Sequence, residues 1–409
     1  MEFRLGPIVR AFLAVARIGT RIWMRFVMNP SIVYRLPDRL EPPYLVISNH
    51  VMVYDGLVVT MHLKHLPVVV FDDVQRLNAF NRFMFTKMGV VFKAFGVADP
   101  LSIRSMMRAR DAKRSIFLYP EGEITWTGDS KPIEPSFARL VKLLCIPVAM
   151  VKVKGAYSIC PKWARRFRKG SSIFEYDLIL TPEDISRMGE DELLEHLRSR
   201  HSHKELDWLR SPEGRQNDLR ASCPAAGLEC LLFCCPDCLG TNCMKTDDHR
   251  LFCDRCGMSV EVGGDMGLRT VRGRTGFSDI RDWHTWQKGH LNSLLDGIPR
   301  ESQPLLTAVS GWVKRAGVSG GRTEVVGGGT VELFADRINY ESRDGGSTDI
   351  ALSDIRACHC YRFAPTQDNK LLIRTSQNFF IFDLEEPNSP VLSWEIAINS
   401  LRSGERDGK

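Results

Sequence analysis

Short apolar runs alternate with amphipathic stretches over the first half of the chain. From Tyr44 to about Leu180, the runs YLVISN, LPVVVF, MGVVFKAF, SIFLYPEG and CIPVAMVKVKG have the length and composition of buried strands. The intervening segments, such as PLSIRSMMRARDAKR, carry apolar residues at helical spacing. This rhythm predicts an α/β domain over residues 31–210, with a mixed sheet flanked by helices.

The segment from Leu5 to Met28 has one helical periodicity. One narrow stripe of this helix holds Arg10, Arg17, Arg21 and Arg25. The opposite face holds Phe12, Val15, Ala16, Gly19, Ile22, Trp23 and Phe26. We predict that residues 1–30 form an amphipathic helix that holds the protein peripherally on the cytoplasmic face of a membrane. The alternative is a helix that packs on the core and exposes its arginines. Because arginines interrupt the apolar run, we expect no signal peptide.

The second half of the chain changes character. A loop rich in Pro, Gly and Ser, from Ser211 to Gly227, marks a boundary. Residues 263–310 are interpreted as a linker that contains a helix. Residues 311–405 hold short strands separated by turns and end in an amphipathic helix, which predicts a β-rich domain, a small barrel or sandwich plugged by a helix.

Eight of the twelve cysteines fall between Cys223 and Cys256. A cluster of this kind predicts a metal site rather than a disulfide scaffold. Two Cys-x2-Cys pairs, 14 residues apart, consist of Cys235, Cys238, Cys253 and Cys256. They predict a zinc ribbon over residues 223–262, with a structural Zn²⁺ whose four positions are filled by thiolates. Cys234, Cys243 and His249 are then surplus.

The net charge of +6 suits an anionic membrane or a nucleic acid equally well. The ribbon carries KTDDHR instead of a basic, aromatic hairpin, which argues against nucleic acid. We interpret the ribbon as a scaffold or as a module for a protein partner.

A candidate catalytic pair lies in VISNHVMVYDGL, where His50 and Asp55 are five residues apart. On a regular helix the two side chains point about 140° apart, so they meet only if a loop or a helix start intervenes. The residues SNH after the strand supply that break. The carboxylate would then orient the imidazole, which takes a proton from a hydroxyl that attacks an acyl carbon. The alternative is that Asn49 and His50 merely cap a helix and that Glu121 is a buried, paired carboxylate.

Two further blocks follow in order, Pro120-Glu121-Gly122 and Ile-Pro-Val from Ile146. Together with Asn49-His50-x4-Asp55, the set resembles the glycerolipid acyltransferase family over residues 30–205. The resemblance implies acyl transfer from acyl-coenzyme A or acyl carrier protein to a hydroxyl of a lipid or lysolipid acceptor. It implies His50 as the general base and Asp55 as its partner, with the acceptor site shaped by Asn49, Pro120, Glu121 and Gly122.

Two positions depart from the pattern of that family. Glu123 and Ile124 stand where Thr-Arg is usual, and Phe95 stands in the place of a second arginine. Arginine grips phosphate in a bidentate manner, so a phosphate monoester acceptor is not implied. Candidate replacement cations are Lys93, Arg104, Arg108 and Lys131.

Two weaker resemblances concern the rest of the chain. The segment GLECLLFCCPDC resembles an extension of some bacterial acyltransferase-like proteins, in which a ribbon follows the catalytic domain. The strand-rich end with Trp394 resembles pleckstrin-homology-like domains. The rival hypotheses are a non-catalytic lipid-binding sensor on an acyltransferase fold and a nucleic-acid-binding zinc protein.

Overall fold

The computed structural model describes residues 7–74, 85, 89–296, 298, 303–318, 324–362, 364–365, 369–385 and 390–407. These residues divide into two compact units. The first comprises the described residues of Met1–Lys162 and Phe167–Ala221, and the second those of Trp163–Arg166 and Ser222–Lys409. The first unit is mixed α/β and the C-terminal region is rich in β-strands, which confirms the predicted fold class at this level.

A seven-stranded mixed sheet runs through the first unit. Its strands are β1 (Pro30–Tyr34), β2 (Leu45–Ser48), β3 (Val68–Asp72), β4 (Val91–Lys93), β5 (Ile116–Leu118), β6 (Val148–Lys154) and β7 (Ser172–Leu180). Their order across the sheet is β1-β7-β6-β2-β5-β3-β4, and only β6 and β7 pair antiparallel. The carboxyl ends of β2, β5 and β6 therefore meet at one edge, where α/β sheets bind their ligands.

Among the described residues, the first unit has the helices α1 (Pro7–Val27), α2 (Asp55–Met61), α3 (Pro100–Asp111), α4 (Pro135–Leu144), α5 (Ala156–Ile159), α6 (Pro182–Arg187), α7 (Glu190–His201) and α8 (Glu205–Arg210). Helices α3, α4, α6 and α7 pack on one face of the sheet, against alternate strand residues such as Leu45 and Ile47. Thr181 and Asp184 form a capping box that starts α6. Within the described residues, no helix is both long enough and apolar enough to cross a bilayer.

The second unit begins with a four-stranded antiparallel sheet in the order β11-β10-β9-β8. Its strands are β8 (Met244–Thr246), β9 (Arg250–Cys253), β10 (Ser259–Val262) and β11 (Leu268–Arg272), and a helix α9 (Ile280–Leu295) follows. The Trp283 indole of α9 donates to the carbonyl of Cys234 at 2.9 Å, and Gln287 accepts from the amide of Phe233 at 3.0 Å. Hence α9 packs on the segment that precedes the first cysteine pair.

A second seven-stranded sheet, entirely antiparallel, forms the C-terminal region. Its strands are β12 (Leu306–Gly317), β13 (Glu324–Leu333), β14 (Arg337–Ser342), β15 (Ser347–Ala351), β16 (Ile355–Tyr361), β17 (Lys370–Thr375) and β18 (Asn378–Leu384). The closing helix α10 (Val391–Asp407) buries Trp394 completely. Short 3-10 helices lie at Gly214–Gln216 in the first unit and at Leu228–Cys230 and Leu352–Asp354 in the second.

Candidate functional site

His50 and Asp55 meet in the turn between β2 and α2. The Nδ1 atom of His50 lies 3.3 Å from Oδ2 of Asp55. The same oxygen accepts hydrogen bonds from the backbone amides of Val51, at 2.8 Å, and Met52, at 3.1 Å. Asp55 is fully buried at the start of α2, whereas 18% of the His50 side chain is exposed. With Nδ1 turned to the carboxylate, Nε2 is the nitrogen left to act on a substrate.

Asn49 fixes the start of this turn. Its amide nitrogen donates to the carbonyl of Val153 at 2.8 Å, and its amide oxygen accepts from the amide of Val153 at 2.8 Å. The side chain thus continues the pairing of β2 with β6 beyond the end of β2. Asn49 is fully buried. The structure therefore gives this predicted substrate-binding residue a positioning contact, made entirely within the protein.

Glu121 holds the turn from the other side. Its Oε1 accepts from the backbone amide of His50 at 3.0 Å, and its Oε2 accepts from the amide of Lys131 at 3.0 Å. The Nε2 atom of His201 lies 3.1 Å from Oε1, and the Glu121 side chain has no exposed surface. Its neighbour Gly122 has φ +75, a conformation that favours glycine, and Pro120 lies in the same turn.

Tyr119 belongs to the site but was not predicted from the sequence. Its ring stacks on the His50 imidazole, with the centroids 3.6 Å apart and the planes 5° from parallel. Its hydroxyl donates to Oδ1 of Asp55. Burial and the neighbouring Asp55 charge raise the pKa of Tyr119 well above its usual value of 10. In the sequence Tyr119 directly precedes the Pro120-Glu121-Gly122 block, and this adjacency was the only available signal.

Lys93 does not lie beside the His50 turn. It is exposed at the end of β4, three strands from β2, which is about 14 Å at the usual strand spacing. Phe95, in the position of the second family arginine, is buried.

A compact charge cluster surrounds Glu123. Lys131 forms a salt bridge with Oε1 of Glu123, and the ammonium of Lys162 lies 3.8 Å from its Oε2. That ammonium also lies 4.5 Å from the centre of the Trp126 ring. The amide of Thr125 donates to the carbonyl of His50 at 2.9 Å, so the loop with this cluster packs directly on the His50 turn. Lys162 is nearly buried and was not predicted from the sequence.

Helix α1 docks through Arg17 and Arg21 of the arginine stripe and through Met24, which is buried. Arg17 donates to the carbonyls of Met61 and Leu63, both at 2.6 Å, and Arg21 donates to that of Met61 at 2.9 Å. These contacts satisfy carbonyls at the C-terminal end of α2. The outward face carries exposed apolar side chains, namely Val15, Ile18, Ile22, Trp23 and Phe26. In the core-packing alternative the apolar face would be buried and the arginines exposed. Here the apolar face is exposed, while Arg17 and Arg21 contact the protein. The side chains of Arg10, Phe12 and Ala16 lie outside the described residues.

The four predicted zinc ligands converge in the second unit. The sulfur atoms of Cys235, Cys238, Cys253 and Cys256 all lie within 4.8 Å of one another. Cys235 is 3.7 Å from Cys256, and Cys238 is 3.7 Å from Cys253. Tetrahedral zinc with Zn–S bonds of about 2.3 Å requires sulfur separations of about 3.8 Å. The donor set therefore fits Zn²⁺.

The surplus residues of the cluster differ in position. Cys234 is buried, and His249 is exposed on the hairpin. The Cys243 sulfur lies 3.5 Å from that of Cys253 and also contacts the carbonyl of Gly240. Gly257, after the last ligand, has φ +75, as a tight knuckle turn requires.

Comparison with known proteins supports an acyltransferase domain. The family model described as Acyltransferase matches residues 29–154, which include the His50 turn and the Glu121 loop. No curated protein matches the chain.

Two solved structures are similar to parts of the chain. One is the 1-acyl-sn-glycerophosphate acyltransferase PlsC from Thermotoga maritima, with 16% identity and a TM-score of 0.37, covering 47% of this chain and 84% of that one. The other is the Vps36 N-terminal PH domain, with 12% identity and a TM-score of 0.21, covering 27% of this chain and 86% of that one. Similarities this low carry no argument about function.

Proposed function

We propose that the protein is a peripheral membrane O-acyltransferase that moves a fatty acyl group from an acyl thioester to a hydroxyl of a lipid or lysolipid. The donor would be acyl-coenzyme A or acyl carrier protein. The observation that carries the proposal is the contact of His50 with the buried Asp55, within the segment that matches the acyltransferase family.

In the proposed reaction His50 acts as a general base through Nε2. It takes the proton of the acceptor hydroxyl as that oxygen attacks the thioester carbonyl. The ester C–O bond forms, the C–S bond breaks, and the proton passes from His50 to the departing thiolate. Asp55 holds Nδ1–H and stabilises the transient imidazolium. No covalent acyl-enzyme is required.

The Glu123 cluster bears on the choice of acceptor. A phosphate monoester needs positive charge, and here the carboxylate of Glu123 already lies between Lys131 and Lys162. We therefore propose an acceptor whose head group has no phosphate monoester.

The outward apolar face of α1 supports attachment to a membrane. Five exposed apolar side chains on one helix are typical of a segment that lies in the lipid interface. Arg25 is exposed at the end of the same helix and suits an anionic cytoplasmic leaflet. Peripheral attachment there is part of the proposal.

A structural zinc ion completes the proposal. Cys235, Cys238, Cys253 and Cys256 would hold it, and all four positions would be filled by sulfur, which leaves none for catalysis. The ion would cross-link the two knuckles of the ribbon. The ribbon and the β-rich region would then serve as a scaffold or as a site for a protein partner.

The test is a product assay by mass spectrometry. Purified protein is incubated in micelles with a long-chain acyl thioester and a panel of lysolipids. We expect a new ester with the unmodified protein and with His65→Ala, an exposed histidine outside the pair, but none with His50→Ala. Ester formation by His50→Ala would refute the base assignment. Lipid binding without product from any acceptor would favour the non-catalytic sensor.

A further inference from the structure

The two oxygens of the Asp55 carboxylate have different partners. Oδ2 accepts from the amides of Val51 and Met52 and faces Nδ1 of His50. Oδ1 accepts from the hydroxyl of Tyr119. The partners of Oδ2 all lie on one turn, so they hold one end of the carboxylate and leave its plane free to rotate. The hydrogen bond from Tyr119 to Oδ1 holds the other end and thereby fixes that plane. That plane sets the direction in which His50 is held.

Tyr119 acts on His50 directly as well. The two rings are stacked nearly parallel, with 3.6 Å between their centroids. A ring lying flat on one face of the imidazole restricts rotation of the His50 side chain about its outer bond. One residue thus contacts both members of the pair, each through a different part of its side chain.

Gly56 provides a second, independent observation. It follows Asp55 in α2, and a Cβ atom at this position would lie 2.8 Å from the Tyr119 hydroxyl oxygen. The space beside Asp55 is therefore taken by that hydroxyl. Glycine weakens a helix relative to alanine, so its presence in α2 is explained by the room it leaves for the Tyr119 hydroxyl.

We propose that Tyr119 is a positioning residue for the catalytic pair: its hydroxyl fixes the Asp55 carboxylate and its ring fixes the plane of the His50 imidazole. This inference rests on the proposed acyl transfer. The phenol remains protonated at ordinary pH because burial and the Asp55 charge raise its pKa. It therefore serves as a hydrogen-bond donor and takes no part in proton transfer.

The variant Tyr119→Phe keeps the ring and removes only the hydroxyl. We expect kcat to fall about 10-fold to 100-fold, the value of a hydrogen bond to a charged group. KM should change less than about twofold, because the hydroxyl is bound to Asp55 and not to substrate. Gly56→Ala places a methyl group against the same hydroxyl, so it should also lower kcat while KM changes less than about twofold. Tyr34→Phe, on β1, serves as the matched control and should leave both constants unchanged.

A measurement without turnover separates this inference from the proposed function. Long-range ¹H–¹⁵N spectra report the imidazole tautomer, and the His50 signal is assigned by its absence in His50→Ala. We expect one tautomer, with the proton on Nδ1, in the unmodified protein and a mixture in Tyr119→Phe. The same single tautomer together with unchanged kcat in Tyr119→Phe would overturn the positioning role, as would equal losses in kcat, substrate affinity and thermal stability. Ester formation by His50→Ala would instead overturn the acyl-transfer mechanism.

Discussion

Phe26 offers the sharpest test of the proposed attachment of α1 to a membrane. Its side chain is 86% exposed, the largest exposure among the five apolar residues on the outward face of α1. Full burial of a phenylalanine side chain is worth about 1.5–3 kcal/mol. Scaled by the exposed fraction, insertion of Phe26 contributes about 1.3–2.6 kcal/mol, so Phe26→Ser should weaken vesicle binding about 8-fold to 70-fold.

The assay is co-sedimentation with vesicles of phosphatidylcholine and phosphatidylserine at a fixed salt concentration. The matched control is Leu101→Ser, because Leu101 is 70% exposed on helix α3 of the same unit. We expect the control to bind as the unmodified protein does. Equal binding by Phe26→Ser, or an equal loss in both variants, would refute the assignment of the α1 face to the membrane.

Three further predictions concern the His50 turn, the proposed acceptor and the proposed zinc site. Asn49→Ala leaves the buried N–H and C=O of Val153 without partners, which should lower the stability of the fold by about 2–6 kcal/mol. Hydrogen exchange at the Val153 amide should become faster, and unchanged protection would contradict the role of Asn49 in linking β2 to β6. Glu123→Thr removes the carboxylate that pairs with Lys131 and lies 3.8 Å from the Lys162 ammonium, so product from lysophosphatidic acid should rise about tenfold by mass spectrometry. No gain would argue against the charge cluster as a selectivity element. Cys253→Ser should abolish zinc binding as measured by atomic absorption, whereas Cys145→Ser, at an exposed cysteine outside the cluster, should retain the zinc. An unchanged zinc content in Cys253→Ser would disprove the ligand set.

The contact of His50 with Asp55 was predictable because its cause is local. A strand end, a short turn and a helix start all lie within VISNHVMVYDGL, and the Asp55 carboxylate binds the amides of that turn. The positions of Asn49 and Glu121 were not predictable in the same way. Their partners lie 104 and 71 residues away, and no local pattern encodes a contact of that range.

Two other features show what periodicity leaves out. The helical periodicity located the two faces of α1 but did not show which face docks on the protein. The docking face is set by backbone carbonyls at the end of α2, which accept hydrogen bonds from Arg17 and Arg21. Residues 263–310 were interpreted as a linker that contains a helix, and β11 lies within that range. Four of its five residues are exposed, so no buried face left a signal in the sequence.

The long-range hydrogen bonds around His50 have a consequence for the synthesis of the protein on the ribosome. A nascent chain that ends before residue 153 contains His50, Asp55, Tyr119 and Glu121, but not the backbone that Asn49 binds. Contacts between residues so far apart in sequence form late, because closing a long loop costs entropy before any contact repays it. The emerging polypeptide would thus hold His50 and Asp55 in a local turn that is not yet anchored to β6, and the geometry of the site would be completed only once β6 has been synthesised.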